Sequence, residues 1–150
     1  MIYVDADACP VKAEVEKVAT RHRMEVRMVC DGGLRPSQNP LVQMVYVTEG
    51  LDAADNWIAE TAGAGDIVVT SDIPLADRAI ATGAKVLTFD GEELDERSIV
   101  AKLARRNAAD AMRSENPLEM QTRSSRAKPL DKGRFSNTLE RLVRQVGRTP

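Results

Sequence analysis

Five short apolar runs alternate with stretches of helical periodicity along this 150-residue chain, and that alternation limits its possible folds more than any other feature. The runs cover residues 2–4, 26–30, 44–47, 67–69 and 85–89. Runs that are apolar at nearly every position belong to strands buried on both faces, as in parallel sheets flanked by helices. Helices are expected between them. The first starts with Pro10 at its first position and carries Val11, Val15 and Val18 at helical spacing to about residue 23. Others are expected at about 52–61, 74–81, 96–113 and 132–146, the last with Phe135, Leu139, Leu142 and Val146 on one face. Right-handed crossovers then favour the strand order 3-2-1-4-5, with helices on both faces of a parallel sheet. The winding direction reverses between strands 1 and 4, and ligands of such folds sit outside the carboxyl ends of the strands at the reversal.

The length suits one domain over residues 1–150, with a polar basic linker at about 114–131. Hydrophobic residues at 43% and charged ones at 29% fit a globular chain. Aromatic residues at 3% are too few for rows of base-stacking platforms. No apolar run approaches the roughly 20 residues of a membrane span. The N-terminus shows no signal-peptide pattern, so a cytoplasmic protein without a membrane partner is expected. Two cysteines and one histidine exclude a disulfide framework, a four-cysteine zinc site and a histidine-rich metal cluster. Cys9 precedes the expected helix start, where a thiolate would be stabilised, but a small buried thiol accounts for it better. Gly63-Ala64-Gly65 stands before a strand instead of after one, so it is a turn and not a dinucleotide fingerprint.

Charge is unevenly distributed. Residues 1–95 hold 17 acidic against 8 basic side chains, and residues 96–150 hold 6 acidic against 13 basic. An acidic body with a basic C-terminal third suits contact with a polyanion such as RNA, although a solvated basic tail would show the same balance. Arg123, Arg126 and Lys128 in the linker are the candidate nucleic-acid-binding residues.

Carboxylates gather where strands end. Asp5-Ala6-Asp7 follows the first strand, Asp52 and Asp55 share a face at the start of the second helix, and Asp72 follows the fourth strand in Thr70-Ser71-Asp72. A hard cation such as Mg²⁺ or Mn²⁺ takes oxygen ligands of this kind. Each acid also has a structural account. Asp7 would complement a helix dipole, Asp52 and Asp72 would cap helices, and Asp90 would occupy a turn ahead of Gly91. Capping explains Asp55-Asn56 less well. The strand order brings Asp5 beside Asp72, which local capping does not require.

Asp5-Ala6-Asp7-Ala8-Cys9-Pro10, Asp52-Ala53-Ala54-Asp55-Asn56 and Thr70-Ser71-Asp72-Ile73-Pro74-Leu75-Ala76 resemble, in order and spacing, the signature blocks of the bacterial YaiI/YqxD family. A fourth block around Pro129-Leu130-Asp131 is similar, while Ser125 to Pro129 and Asp31-Gly32-Gly33 depart from the family pattern. Members resemble PIN-like domains, three-layer α/β folds related to metal-dependent nucleases. The resemblance implies catalytic and metal-binding roles for Asp5, Asp55 and Asp72, with Asp7 and Asp52 as further metal ligands. The resulting expectation is a nuclease using Mg²⁺ or Mn²⁺ on RNA phosphodiesters. Two alternatives stand beside it. One is a non-catalytic RNA- or protein-binding module. The other is a haloacid-dehalogenase-like phosphomonoesterase with Asp5 as nucleophile and Asp7 as general acid, a pattern that Cys9 breaks.

Overall fold

A computed structural model of the protein describes residues 1–47, 52–115 and 130–147. The strands are β1 (Ile2–Asp5), β2 (Val26–Cys30), β3 (Val42–Tyr46), β4 (Ile67–Val69), β5 (Lys85–Leu87) and β6 (Glu93–Leu94). The helices are α1 (Lys12–His22), α2 (Ala53–Thr61), α3 (Ile73–Ala81), α4 (Glu96–Glu115) and α5 (Lys132–Gly147), with a 3₁₀ turn at Ala6–Ala8. One six-stranded sheet runs β3-β2-β1-β4-β5-β6. Its first five strands are parallel, in the order the sequence predicts.

The sixth strand was not predicted. β6 pairs antiparallel with β5 through Val86↔Leu94 and Leu87↔Glu93. Two residues are too few to establish a period-2 pattern, so its sequence carries no strand signal. Gly91, at φ 91°, lets the chain reverse before it. A Cβ at Gly91 would stand 2.7 Å from the Phe135 backbone nitrogen and 2.8 Å from the Arg134 carbonyl carbon, so only glycine lets the start of α5 approach the hairpin. Thr138 Oγ1 fastens the contact by donating to the Gly91 carbonyl at 2.8 Å.

Alternation along the strands divides the core. Ile2, Val4, Met28, Ile67 and Leu87 face one way and pack with Val15 and Val18 of α1 and Phe135, Leu139 and Leu142 of α5. Tyr3, Val29, Val68 and Val86 face the other way, toward Ile58 of α2, Leu75 and Ala79 of α3 and Ile99 of α4. The result is three layers, consistent with a PIN-like fold. Full burial of an aromatic or aliphatic side chain such as Phe135 or Leu139 stabilises the fold by about 1.5–3 kcal/mol.

Several boundaries differ from expectation, with β3 starting two residues before 44 and β5 ending at Leu87 instead of 89. α1 begins at Lys12, two residues after Pro10, because Pro10 and Val11 form a turn and Val11 takes the N-cap position. Lys12 Nζ donates to the carbonyls of Ala6 (3.2 Å) and Cys9 (3.0 Å) and so satisfies the 3₁₀ turn. α4 continues to Glu115, so any linker starts later than residue 114. Among the described residues no helix is long and apolar enough to cross a membrane.

Candidate metal centre at the sheet edge

β1 delivers Asp5 to the carboxyl edge of the sheet, in register with Val29 of β2. Thr70 follows directly on β4, the neighbouring strand, and is fully buried. The Thr70 hydroxyl donates to Asp5 Oδ2 at 3.1 Å and accepts the Asp72 backbone N–H at 3.0 Å. One hydroxyl therefore ties the end of β1 to the start of α3. Burial pushes the Asp5 pKa up, Thr70 opposes that, and the charges of Asp72 and Asp7 add to it.

Asp72 does cap α3, with Oδ1 accepting the Leu75 N–H at 3.0 Å. Pro74 follows in the first turn, where a missing N–H leaves no bond unmade. Capping occupies one oxygen of Asp72, and the charge of the same carboxylate acts on Asp55. Asp55, in the first turn of α2, has its pKa raised to about 6. Burial is the largest cause, followed by the nearby carboxylates Asp72, Asp5 and Asp52. Three segments distant in sequence thus bring Asp5, Asp55 and Asp72 into one mutually repelling group.

Asp52 and Asp7 depart from their expected structural roles. Asp52 stands at the N-cap position of α2 but makes no side-chain capping bond, because its backbone (φ −107°, ψ 17°) lacks the extended conformation that turns a side chain toward the first turn. It is exposed, and its charge acts on Asp55. Asp7 lies in the 3₁₀ turn, five residues ahead of α1 and too early to complement that helix dipole. Both its oxygens accept the Asp31 backbone N–H, at 3.1 and 3.3 Å, which fastens the exit of β1 to the turn after β2. Asn56 has a structural explanation, since Arg78 Nη1 of α3 donates to its Oδ1 at 2.8 Å. Asp90 accepts the Thr88 hydroxyl in the turn before Gly91.

Among the described residues, no group of three or more His, Cys, Asp or Glu side chains is placed so that it could hold a metal ion. The donors at the edge are nonetheless all carboxylate oxygens, the type that a hard divalent cation takes. Cys9 is buried, and burial raises its pKa to about 11, so it is a packed thiol and no nucleophile. Arg123, Arg126 and Lys128 lie outside the described residues. The Thr70 bridge was not anticipated from the sequence. Its signal is a hydroxyl at the last buried position of a strand, two residues before a capping Asp.

Residues 3–145 match the family described as Uncharacterized BCR, YaiI/YqxD family. UPF0178 protein SPO3827 of Ruegeria pomeroyi is 50% identical over 147 residues, covering 98% of this chain and 96% of its own. UPF0178 protein RD1_0321 of Roseobacter denitrificans is 50% identical over 145 residues, covering 97% of this chain and 95% of its own. UPF0178 protein RHE_CH02229 of Rhizobium etli is 51% identical over 146 residues, covering 97% and 93%. No solved structure matches the chain.

Proposed function

The chain belongs to the YaiI/YqxD family, and we propose that within it this protein is a divalent-metal-dependent nuclease acting on RNA phosphodiesters, with Asp5, Asp55 and Asp72 at its centre. The observation that carries the reading is the gathering of acids at the winding reversal, where Thr70 ties Asp5 to the start of α3 at Asp72 and the raised pKa of Asp55 reports their nearness. Clustered carboxylates without cationic partners destabilise a fold and gather where function requires them. The all-oxygen donor set fits Mg²⁺ or Mn²⁺. A cation held there would supply Lewis acidity toward a phosphoryl oxygen and would acidify water.

The protein's own groups have distinct tasks. Asp5 and Asp72 hold their relative positions through Thr70. Asp55 and Asp72 would share the cation with Asp5, which would remove the repulsion among the three acids. Asp52, exposed and without a capping bond, would add charge at the mouth. Asp7 would support the edge through Asp31. That occupation of Asp7 weighs against the phosphomonoesterase, which needs the same carboxyl as a general acid. The excess of Lys and Arg beyond residue 95, including Arg123, Arg126 and Lys128, would track the phosphate backbone.

The test is cleavage of mixed single-stranded and structured RNA with Mg²⁺ or Mn²⁺, beside a generic monophosphate ester. Asp5→Asn should lower RNA cleavage by on the order of 10²-fold or more while the fold persists, and Asp7→Asn should retain turnover. Monoester hydrolysis with intact RNA would refute the nuclease. RNA binding should weaken steeply with salt, and charge reversal at Arg123, Arg126 and Lys128 should reduce both the affinity and the salt slope. A second reading has its own observation. Because no group of three acids among the described residues is placed so that it could hold a metal ion, RNA binding without cleavage would identify a non-catalytic module.

A further inference from the structure

Next to the acid group, between the loops that follow β1, β4 and β5, lies an open cleft of about 380 Å³. Ser71 and Ile73, on either side of Asp72 in sequence, line it together with Pro10, Phe89, Asp90 and Lys102. The site proposed above and this cleft therefore share a wall. We propose that the cleft is a nucleobase subsite, which seats one unstacked base of a single-stranded RNA beside the phosphate at the acid group. The inference rests on the proposed nuclease reading and extends it to the seating of a base.

Three observations carry it. The volume is that of a site for a small planar ligand. Its charges are wrong for a phosphate, since Lys102 Nζ is already paired with Glu92 at 2.8 Å and Asp90 adds a second carboxylate. An uncharged ligand with a polar edge suits it better, lying against the apolar surfaces of Pro10, Ile73 and Phe89. The polar groups also differ in kind. Asp90 accepts the Thr88 hydroxyl at Oδ1 and keeps acceptor capacity at Oδ2, while Lys102 has ammonium donors beyond the one given to Glu92. An acceptor and a donor on one rim match the edge of a nucleobase, since every base carries both a hydrogen-bond donor and an acceptor there.

The experiment uses nucleosides, which have no phosphodiester, and a chelator, so that neither cleavage nor metal binding enters the result. Guanosine, cytidine, adenosine and uridine are titrated separately into the full chain with EDTA, while backbone amide shifts are followed by NMR. Each nucleoside should bind saturably, with shifts centred on Ile73, Phe89 and Asp90, while D-ribose, which has no base, should give none. Lys102→Met and Asp90→Asn, on separate elements, should each weaken nucleoside binding about tenfold. Glu60→Gln, exposed and outside the cleft, should leave it unchanged. The subsite is refuted if no nucleoside binds up to its solubility, if ribose shifts the same amides as strongly, or if binding survives both cleft variants undiminished. Nucleoside binding without RNA cleavage would sustain the subsite and count only against the nuclease.

Discussion

Glu140 and Asp55 are both helical carboxylates, on opposite faces of one sheet, and their surroundings are opposite in sign. Glu140, on α5, receives His22 Nε2 at 2.6 Å and Arg21 Nη1 at 2.9 Å, with Arg144 Nη2 at 3.6 Å. The His22 hydrogen bond, with the charges of His22, Arg21 and Arg144, holds its pKa below the usual range. Asp55, on α2, is pushed up to about 6 by burial and by Asp72, Asp5 and Asp52. The α1–α5 seam answers its carboxylate with cations from the same chain. The sheet edge groups carboxylates with one another.

Four measurements would break or sharpen this contrast. If the seam holds the fold together, Phe135→Ala should cost about 3–5 kcal/mol through the cavity it leaves, and lower Tm by about 6–20 °C. A loss no larger than that of a surface substitution would remove the seam's structural role. Mn²⁺ or Mg²⁺ at about a hundredfold above its Kd should raise Tm by about 5–10 °C, and an Asp5→Asn/Asp72→Asn double variant should show no rise. An equal rise in the double variant would place the cation elsewhere.

Glu140→Gln should be next in size, with a Tm lower by about 2–6 °C near neutrality from the loss of charge-assisted hydrogen bonds. The pH sense follows from the lowered pKa. The stability from ionised Glu140 is present above about pH 4.3 and is lost as pH falls through the lower folded value, so the variant should be less acid-sensitive than the native chain. Asp55→Asn should act in the other direction, raising Tm by about 2 °C at pH 7. With its pKa raised, Asp55 favours the fold most below about pH 4, and that stability is lost as pH rises through about 6. The native chain should therefore lose stability between about pH 4 and 6, and the variant should be flatter across that window. Parallel pH profiles for the two chains would mean that the acids at the edge are not coupled.

Strand order and the layered arrangement were legible in the amino-acid sequence because the runs at 2–4, 26–30 and 67–69 are apolar at nearly every position, and only a sheet covered on both faces buries them. The meeting of Asp5 with Asp72 followed from that order, since parallel strands bring their carboxyl ends to one edge. Tertiary structure decided the rest. Asp52 and Asp72 both precede helices and look alike as caps, yet only the extended backbone at Asp72 (ψ 112°) turns its oxygen onto the helix, while ψ 17° at Asp52 leaves that carboxylate uncapped. Asp7 found its donor in Asp31, 24 residues away, and Glu140 found His22 at a separation of 118. Apolar periodicity is a local property that burial reads directly, whereas the partner of a polar group depends on which distant backbone or side chain the packed layers bring within about 3 Å of it.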